Sequence, residues 1–230
     1  MQIAAGVKSD FWTHEDASIM MFHNILETHP NLRQLITIEE EKLICDLIVD
    51  NKIMGREWIS EIVSNSRNGI DVDKFDYLNR DTQKINVGYN AFNHDRVMRG
   101  ARVINNQICY PEKEIYEIKK LYDSRYNLYK DCYYHRVTQA YECLILDILK
   151  ASHSIFDFMS AIKDPDLFID LDDTIIHDIR VSTSIELEHA RNLLLRFDSR
   201  KHYSFVGEKV LNKLINVSEK DVCQYVRSFE

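Results

Sequence analysis

The chain has 230 residues, of which 29 are basic and 37 acidic, giving a net charge of −8 with neutral histidines. A 45% hydrophobic share with 10% aromatics supports a sizeable core and excludes global disorder. Six Gly and three Pro leave room for long helices, and the acid excess argues against a sequence-blind nucleic-acid binder, which needs a net basic face.

No run approaches the roughly 18 apolar residues of a membrane span. Residues 1–12 lack the apolar segment of a signal peptide. Five cysteines, Cys45, Cys109, Cys132, Cys143 and Cys223, form no Cys-x-x-Cys pair. Reduced thiols in a nuclear or cytoplasmic protein are the expectation.

Thr13 with Asp16 is a capping-box pattern that opens the first predicted helix, with Ile19, Phe22 and Leu26 at helical spacing behind it. Thr37 with Glu40 repeats the signal ahead of Leu43, Ile44, Leu47 and Ile48. Trp58, Ile59, Ile62 and Val63 predict a third helix. Asn68-Gly69 is a stop, and a short helix through Val72, Phe75 and Leu78 follows.

Residues 102–109 (RVINNQIC) predict a tight hairpin, because Asn105-Asn106 tolerates positive φ. Pro111 suits the first turn of the next helix. A long helical stretch then runs to about Lys150, with a break near Tyr133-Tyr134. Its stripe includes Ile115, Ile118, Leu121, Leu128, Leu144, Ile148 and Leu149. Residues 164–173 read as an acidic loop, 184–197 as an amphipathic helix, and 203–206 as a short strand. Ser218 with Asp221 opens a terminal helix. The expected fold is mainly α, with one or two small β-ribbons. The expected division is a helical core over 1–150, with its hairpin near 102–109, and a helical lobe over 151–230, with its strand near 203–206.

Residues 61–81 (EIVSNSRNGIDVDKFDYLNRD) hold the densest chemistry. Asp73, Tyr77 and Asp81 lie at i, i+4 and i+8, hence along one helical face, with Lys74 beside it. Carboxylate, ammonium and phenol on one face suit a site for metal, phosphate and sugar. A solvated charged helix would show the same pattern. The tyrosines at 116, 122, 126, 129, 133, 134 and 141 read as core or interface before they read as a base-stacking platform.

VSNSRNGIDVDKFDY at 63–77 resembles the signature of the SAM and HD domain-containing deoxynucleotide triphosphohydrolases. WTHEDASIMMF (12–22), NAFNHDRVMRGARV (90–103), LYDSR (121–125), Tyr133, His135 and YSFVGE (203–208) follow in that family's order. The resemblance implies the C-terminal part of an HD-domain helical core. It also implies hydrolysis of a deoxynucleoside triphosphate such as dGTP to deoxynucleoside and triphosphate. There a water activated by a divalent metal (Fe, Zn, Mn or Mg) would attack the α-phosphorus.

Carried over residue by residue, the resemblance makes Asp73 a metal-ligand carboxylate and His14 an active-site histidine near the phosphate. Lys74 and Arg125 become triphosphate contacts. Tyr77 and Asp81 become contacts to the sugar 3′-hydroxyl, and Tyr133 packs against the sugar. Arg96, Lys113, His135 and Arg136 match remnants of a regulatory nucleotide site. That site is expected to be eroded, because Pro111, Glu117 and Asp131 stand where the family has a basic residue, an Asn and an Arg.

The family's remaining metal ligands, a His and an adjacent His-Asp pair, lie upstream of the segment matched by residues 12–15. Asp73 is therefore expected to be the only metal ligand, and no cofactor is expected to be bound. The dipeptides His94-Asp95 and His177-Asp178 read as surface or capping residues. The resemblance thus implies an N-terminally truncated, catalytically inactive homologue. It would act as a homodimer or as a regulator of full-length relatives, with weak affinity for deoxynucleotides at most. The alternative is an active dGTP triphosphohydrolase.

Overall fold

The computed structural model describes residues 12–85, 92–207 and 221–222. The described residues are mainly helical, with one two-stranded antiparallel sheet, as the composition and periodicity predict.

Contacts divide the chain into two compact units. Met1–Cys132 with Phe156–His177 form the first, and Tyr133–Ile155 with Asp178–Glu230 the second. The first begins with α1 (His14–Thr28). The Thr13 hydroxyl accepts from Asp16 N at 3.3 Å, and the Asp16 carboxylate accepts from Thr13 N at 2.7 Å. This reciprocal cap satisfies amide donors that have no partner inside the helix. Pro30 opens α2 (Pro30–Leu35), a helix the periodicity missed. α3 (Ile38–Ile48) carries the second capping box, formed by Thr37 and Glu40. The predicted third helix is a 3₁₀ turn, Glu57–Ile59, continued by one α-turn, α4 (Ser60–Val63).

Helix α5 (Val72–Ile85) is a 14-residue helix, longer than the short one expected. Phe75 and Leu78 on its underside are 8% and 1% exposed. α6 (His94–Gly100) follows, capped by the Asn93 side chain on Arg96 N at 3.0 Å. The hairpin of β1 (Arg102–Ile104) and β2 (Gln107–Cys109) pairs Ile104 with Gln107 across Asn105 and Asn106, whose φ values are 51° and 61°. A two-residue turn with both φ positive matches the twist of the strands it joins. A Cβ on Gly100 would lie 2.9 Å from the Pro111 ring, so the return of the hairpin toward α6 requires glycine there. Pro111 stands one place earlier than expected: it caps a 3₁₀ turn, Glu112–Glu114.

That turn feeds α7 (Ile115–Leu128), which packs against α5 and α6. Leu121 and Leu128 are fully buried, whereas Ile115 is 58% exposed. The break expected near Tyr133 is a π-turn over Tyr129–Tyr133. α8 (Arg136–Phe156) then extends beyond Lys150. α9 (Phe158–Ala161) and α10 (Pro165–Phe168) follow in the first unit. The segment expected to be an acidic loop therefore contains a helical turn, started by Asp164, whose carboxylate accepts from Asp166 N and Leu167 N.

In the second unit, Leu144 and Ile148 on α8 are fully buried. α11 (Thr174–Val181) spans the division and buries Ile179, and α12 (Glu188–Asp198) buries Leu193 and Leu194. The strand expected at 203–206 does not form. No second strand pairs there among the described residues, and Tyr203 instead donates its phenol to Asp147 at 2.7 Å. Of the expected terminal helix, Asp221 and Val222 are helical, and the rest lies outside the described residues.

Candidate functional site

The site is built on the first turns of α5 and the last turn of α7. Gly69, at φ +67°, turns the chain back before α5. Asn65, 3% exposed, holds this turn: its Oδ1 accepts from Arg67 N at 3.1 Å and Asn68 N at 3.3 Å, and its Nδ2 donates to Ile70 O at 3.1 Å. Asp71 then caps α5, its Oδ1 accepting from Lys74 N at 3.1 Å.

Lys74 and Tyr77 leave the next turns of α5, and Arg125 meets Tyr77 from α7. Arg125 Nη1 donates to the Tyr77 phenol oxygen at 3.0 Å. Its guanidinium carbon lies 5.1 Å above the centre of the Tyr129 ring, on the π-turn. Arg125 is thus fixed by a hydrogen bond on one side and an aromatic face on the other. Burial pushes the Tyr77 phenol up to about 12, against the opposing pull of Arg125. At neutral pH Tyr77 therefore keeps its proton, accepts from Arg125 and has an O–H left to donate. Burial likewise pushes Tyr110 up to about 12.

The remaining expected residues are placed differently. Asp73 is 68% exposed, with Lys74 Nζ 3.8 Å away. Asp81 lies two turns further along α5, 3.4 Å from Arg80 Nε. His14, on the first turn of α1, is 76% exposed and pairs with Glu15 at 3.0 Å. Tyr133 belongs to the second unit, where its carbonyl accepts from Gln139 at 2.9 Å. His94 and Asp95 occupy the first turn of α6, and His94 Nδ1 lies 3.0 Å from Asn79 Nδ2.

The expected regulatory residues divide between the units. Arg96 and Lys113 line one pocket with Arg99 and Arg102, and Arg96 is held by the buried Glu114 at 2.6 Å. His135 and Arg136 belong to the second unit. Glu117 accepts from Asn93 N at 2.8 Å. That bond holds its carboxyl below the usual carboxylate range.

The described residues do not fit a divalent ion around Asp73. Its carboxylate faces an ammonium rather than further donors, and a cation site needs three or more ligands. Among the described residues no group of three or more His, Cys, Asp or Glu side chains is placed to hold a metal.

Two contributors were not singled out in the sequence. Asp71 carries a recognisable cue, an acidic residue just before a helix with a basic residue three places on. Tyr129 carries only its spacing from Arg125, i to i+4.

Fold and site together define a mainly helical core that carries Lys74, Tyr77 and Arg125 on α5 and α7. No family model matches the sequence. Proteins similar to the chain include deoxynucleoside triphosphate triphosphohydrolases and an HD domain-containing protein. The deoxynucleoside triphosphate triphosphohydrolase SAMHD1 homolog of Dictyostelium discoideum is 34% identical over 200 residues, covering 86% of this chain and 38% of that protein. Human deoxynucleoside triphosphate triphosphohydrolase SAMHD1 is 30% identical over 246 residues, 91% of this chain and 39% of that protein. An HD domain-containing protein of Acanthamoeba polyphaga mimivirus is 40% identical over 171 residues, 71% of this chain and 37% of its own length. The chain therefore spans under two-fifths of these relatives. No described helix is long and apolar enough to cross a membrane.

Proposed function

We propose that this chain binds deoxynucleoside triphosphates such as dGTP on the wall formed by α5 and α7, and that it does not hydrolyse them by itself. The observation that carries this is the contact between Tyr77 and Arg125, which holds a phenol and a guanidinium on facing helices, one turn from Lys74. Lys74 and Arg125 supply cationic donors for phosphate oxygens. The free O–H of Tyr77 and the carboxylate of Asp81 suit a sugar hydroxyl, one as donor and the other as acceptor. The surroundings of Asp73 support the absence of turnover: Lys74 Nζ lies 3.8 Å away, and no cluster of three or more metal-ligating side chains is placed there among the described residues. Assembly with a second copy or with a longer relative belongs to the same proposal. Leu35, Ile38 and Met54, 76%, 73% and 94% exposed, are apolar groups that such a partner would cover.

The alternative is an active dGTP triphosphohydrolase whose remaining ion ligands come from outside the described residues. The retained Lys74, Tyr77 and Arg125 wall favours it, since nothing in that wall is altered away from substrate binding.

Calorimetric titration with dGTP tests the binding proposal. Arg125→Ala removes one of the two phosphate donors and the hydrogen bond to Tyr77, so binding is expected to weaken at least about ten-fold, the scale of a charge-assisted hydrogen bond. Equal affinity in Arg125→Ala and the unaltered chain would contradict it.

A further inference from the structure

We infer that Asp71 is a positioning residue for Lys74, setting the point from which its ammonium meets a phosphate. The inference rests on the function proposed above.

Two carboxylates flank Lys74, and they are not equivalent. The Asp73 side chain is 68% exposed and reaches the ammonium at 3.8 Å. The Asp71 side chain is 1% exposed and holds the same ammonium at 2.9 and 3.1 Å, one contact to each oxygen. Both Asp71 oxygens have backbone donors as well. Oδ1 accepts from Lys74 N at 3.1 Å, and Oδ2 accepts from Asn65 N at 3.0 Å. The carboxylate is therefore locked into the turn over residues 65–71, which Asn65 itself closes, and it cannot follow the lysine if the lysine moves.

A free lysine samples many rotamers and presents its charge over a wide arc. Here the four-carbon stem is pinned at both ends, by α5 at the Cα and by Asp71 at Nζ. The ammonium has three protons. Its contacts with the two Asp71 oxygens take up part of that donor capacity, and the remainder is available to a phosphate oxygen. The buried pair also lowers the net charge that Lys74 presents. Its contribution is therefore a directed donor more than long-range attraction.

If this clamp positions Lys74, loosening it weakens phosphate binding. If Asp71 only withholds Lys74 from phosphate, loosening it tightens binding. Asp71→Asn separates the two, because Asn caps a helix as well as Asp and can keep the bond from Lys74 N while losing the carboxylate clamp. Inorganic triphosphate and dGTP are the probes, measured by calorimetry on the full chain, with circular dichroism to confirm the helical content.

Asp71→Asn is expected to weaken both probes about ten-fold, and Asp71→Glu, which displaces the charge by one methylene, to weaken them in the same direction. Lys74→Ala is expected to weaken them similarly. In the Lys74→Ala background Asp71→Asn is expected to add nothing, because the two side chains act through one contact. Unchanged or tighter binding in Asp71→Asn or Asp71→Glu would overturn the inference. So would an undiminished effect of Asp71→Asn without Lys74, which would mark a purely structural role. Failure of the unaltered chain to bind either probe would overturn the proposed function and the inference with it. That result is told apart by appearing before any substitution is made.

Discussion

Leu121→Ala is expected to lower the free energy of unfolding by about 2–5 kcal/mol, the range for a leucine lost from a closed core. Leu121 is fully buried in the middle of α7, the helix that packs on both α5 and α6. Truncation removes buried apolar area and leaves a cavity that the fixed helices on either side cannot fill. The cavity would lie beneath the face that carries Arg125, one turn further along. Chemical denaturation of the variant beside Leu195→Ala checks this. Leu195 is 64% exposed on α12, and its truncation is expected to change stability by less than about 0.5 kcal/mol. A Leu121→Ala loss below about 1 kcal/mol would mean that α7 is not part of a closed core.

Glu61→Gln is expected to cost about 1–3 kcal/mol, the scale of charge-assisted hydrogen bonds lost from a half-closed site. Glu61, on α4, has a side chain 12% exposed. It accepts from Arg67 Nε at 2.6 Å, from Arg67 Nη2 at 2.9 Å and from Ile108 N at 2.7 Å. Arg67 Nη2 also donates to Ile108 O at 2.9 Å. One ion pair thus ties β2 to α4 and to the turn that precedes Asp71. The Arg67 hydrogen bond holds the Glu61 carboxyl below its ordinary value of 4.5. The folded state therefore releases this proton more readily than the unfolded chain. The stabilisation is complete above about pH 4.5 and fades as the pH falls below it. Glu61→Gln is expected to remove that part of the acid sensitivity, so the difference between variant and unaltered chain should shrink from pH 7 toward pH 3. A constant difference across that range would show that the carboxylate charge is not what holds the hairpin.

Much of the helical framework is legible because its signals are local. A capping box needs only four consecutive residues, and both, at Thr13 and Thr37, close as the spacing predicts. Asn105 and Asn106 adopt the positive φ that their side chains tolerate. Leu121, Leu128, Leu144 and Ile148 repeat at helical spacing, and all are fully buried. The strand expected at 203–206 depends on a partner that no local pattern specifies. Without one, Tyr203 and Phe205 meet the side chains of Arg196 and Arg136 instead.

The site divides along the same line. That Tyr77 and Lys74 share one region of α5 follows from helical spacing alone. The resemblance gives Tyr77 and Arg125, 48 residues apart, separate contacts to one nucleotide, and neither it nor any periodicity predicts the hydrogen bond between them. The unequal partnership of Asp71 and Asp73 with Lys74 depends on burial, which the sequence of the turn does not reveal. Both are acidic residues within three positions of the lysine. The turn closed by Asn65 and Gly69 buries the first and leaves the second in water.

The most direct test is dGTP turnover by the purified, folded chain, with Mg²⁺, Mn²⁺, Fe²⁺ and Zn²⁺ supplied in turn and both deoxyguanosine and triphosphate followed. Binding of dGTP without release of either product is the expected result. Release of both products, abolished by Asp73→Ala, would contradict it and show that the ligands of a working metal centre are completed around Asp73.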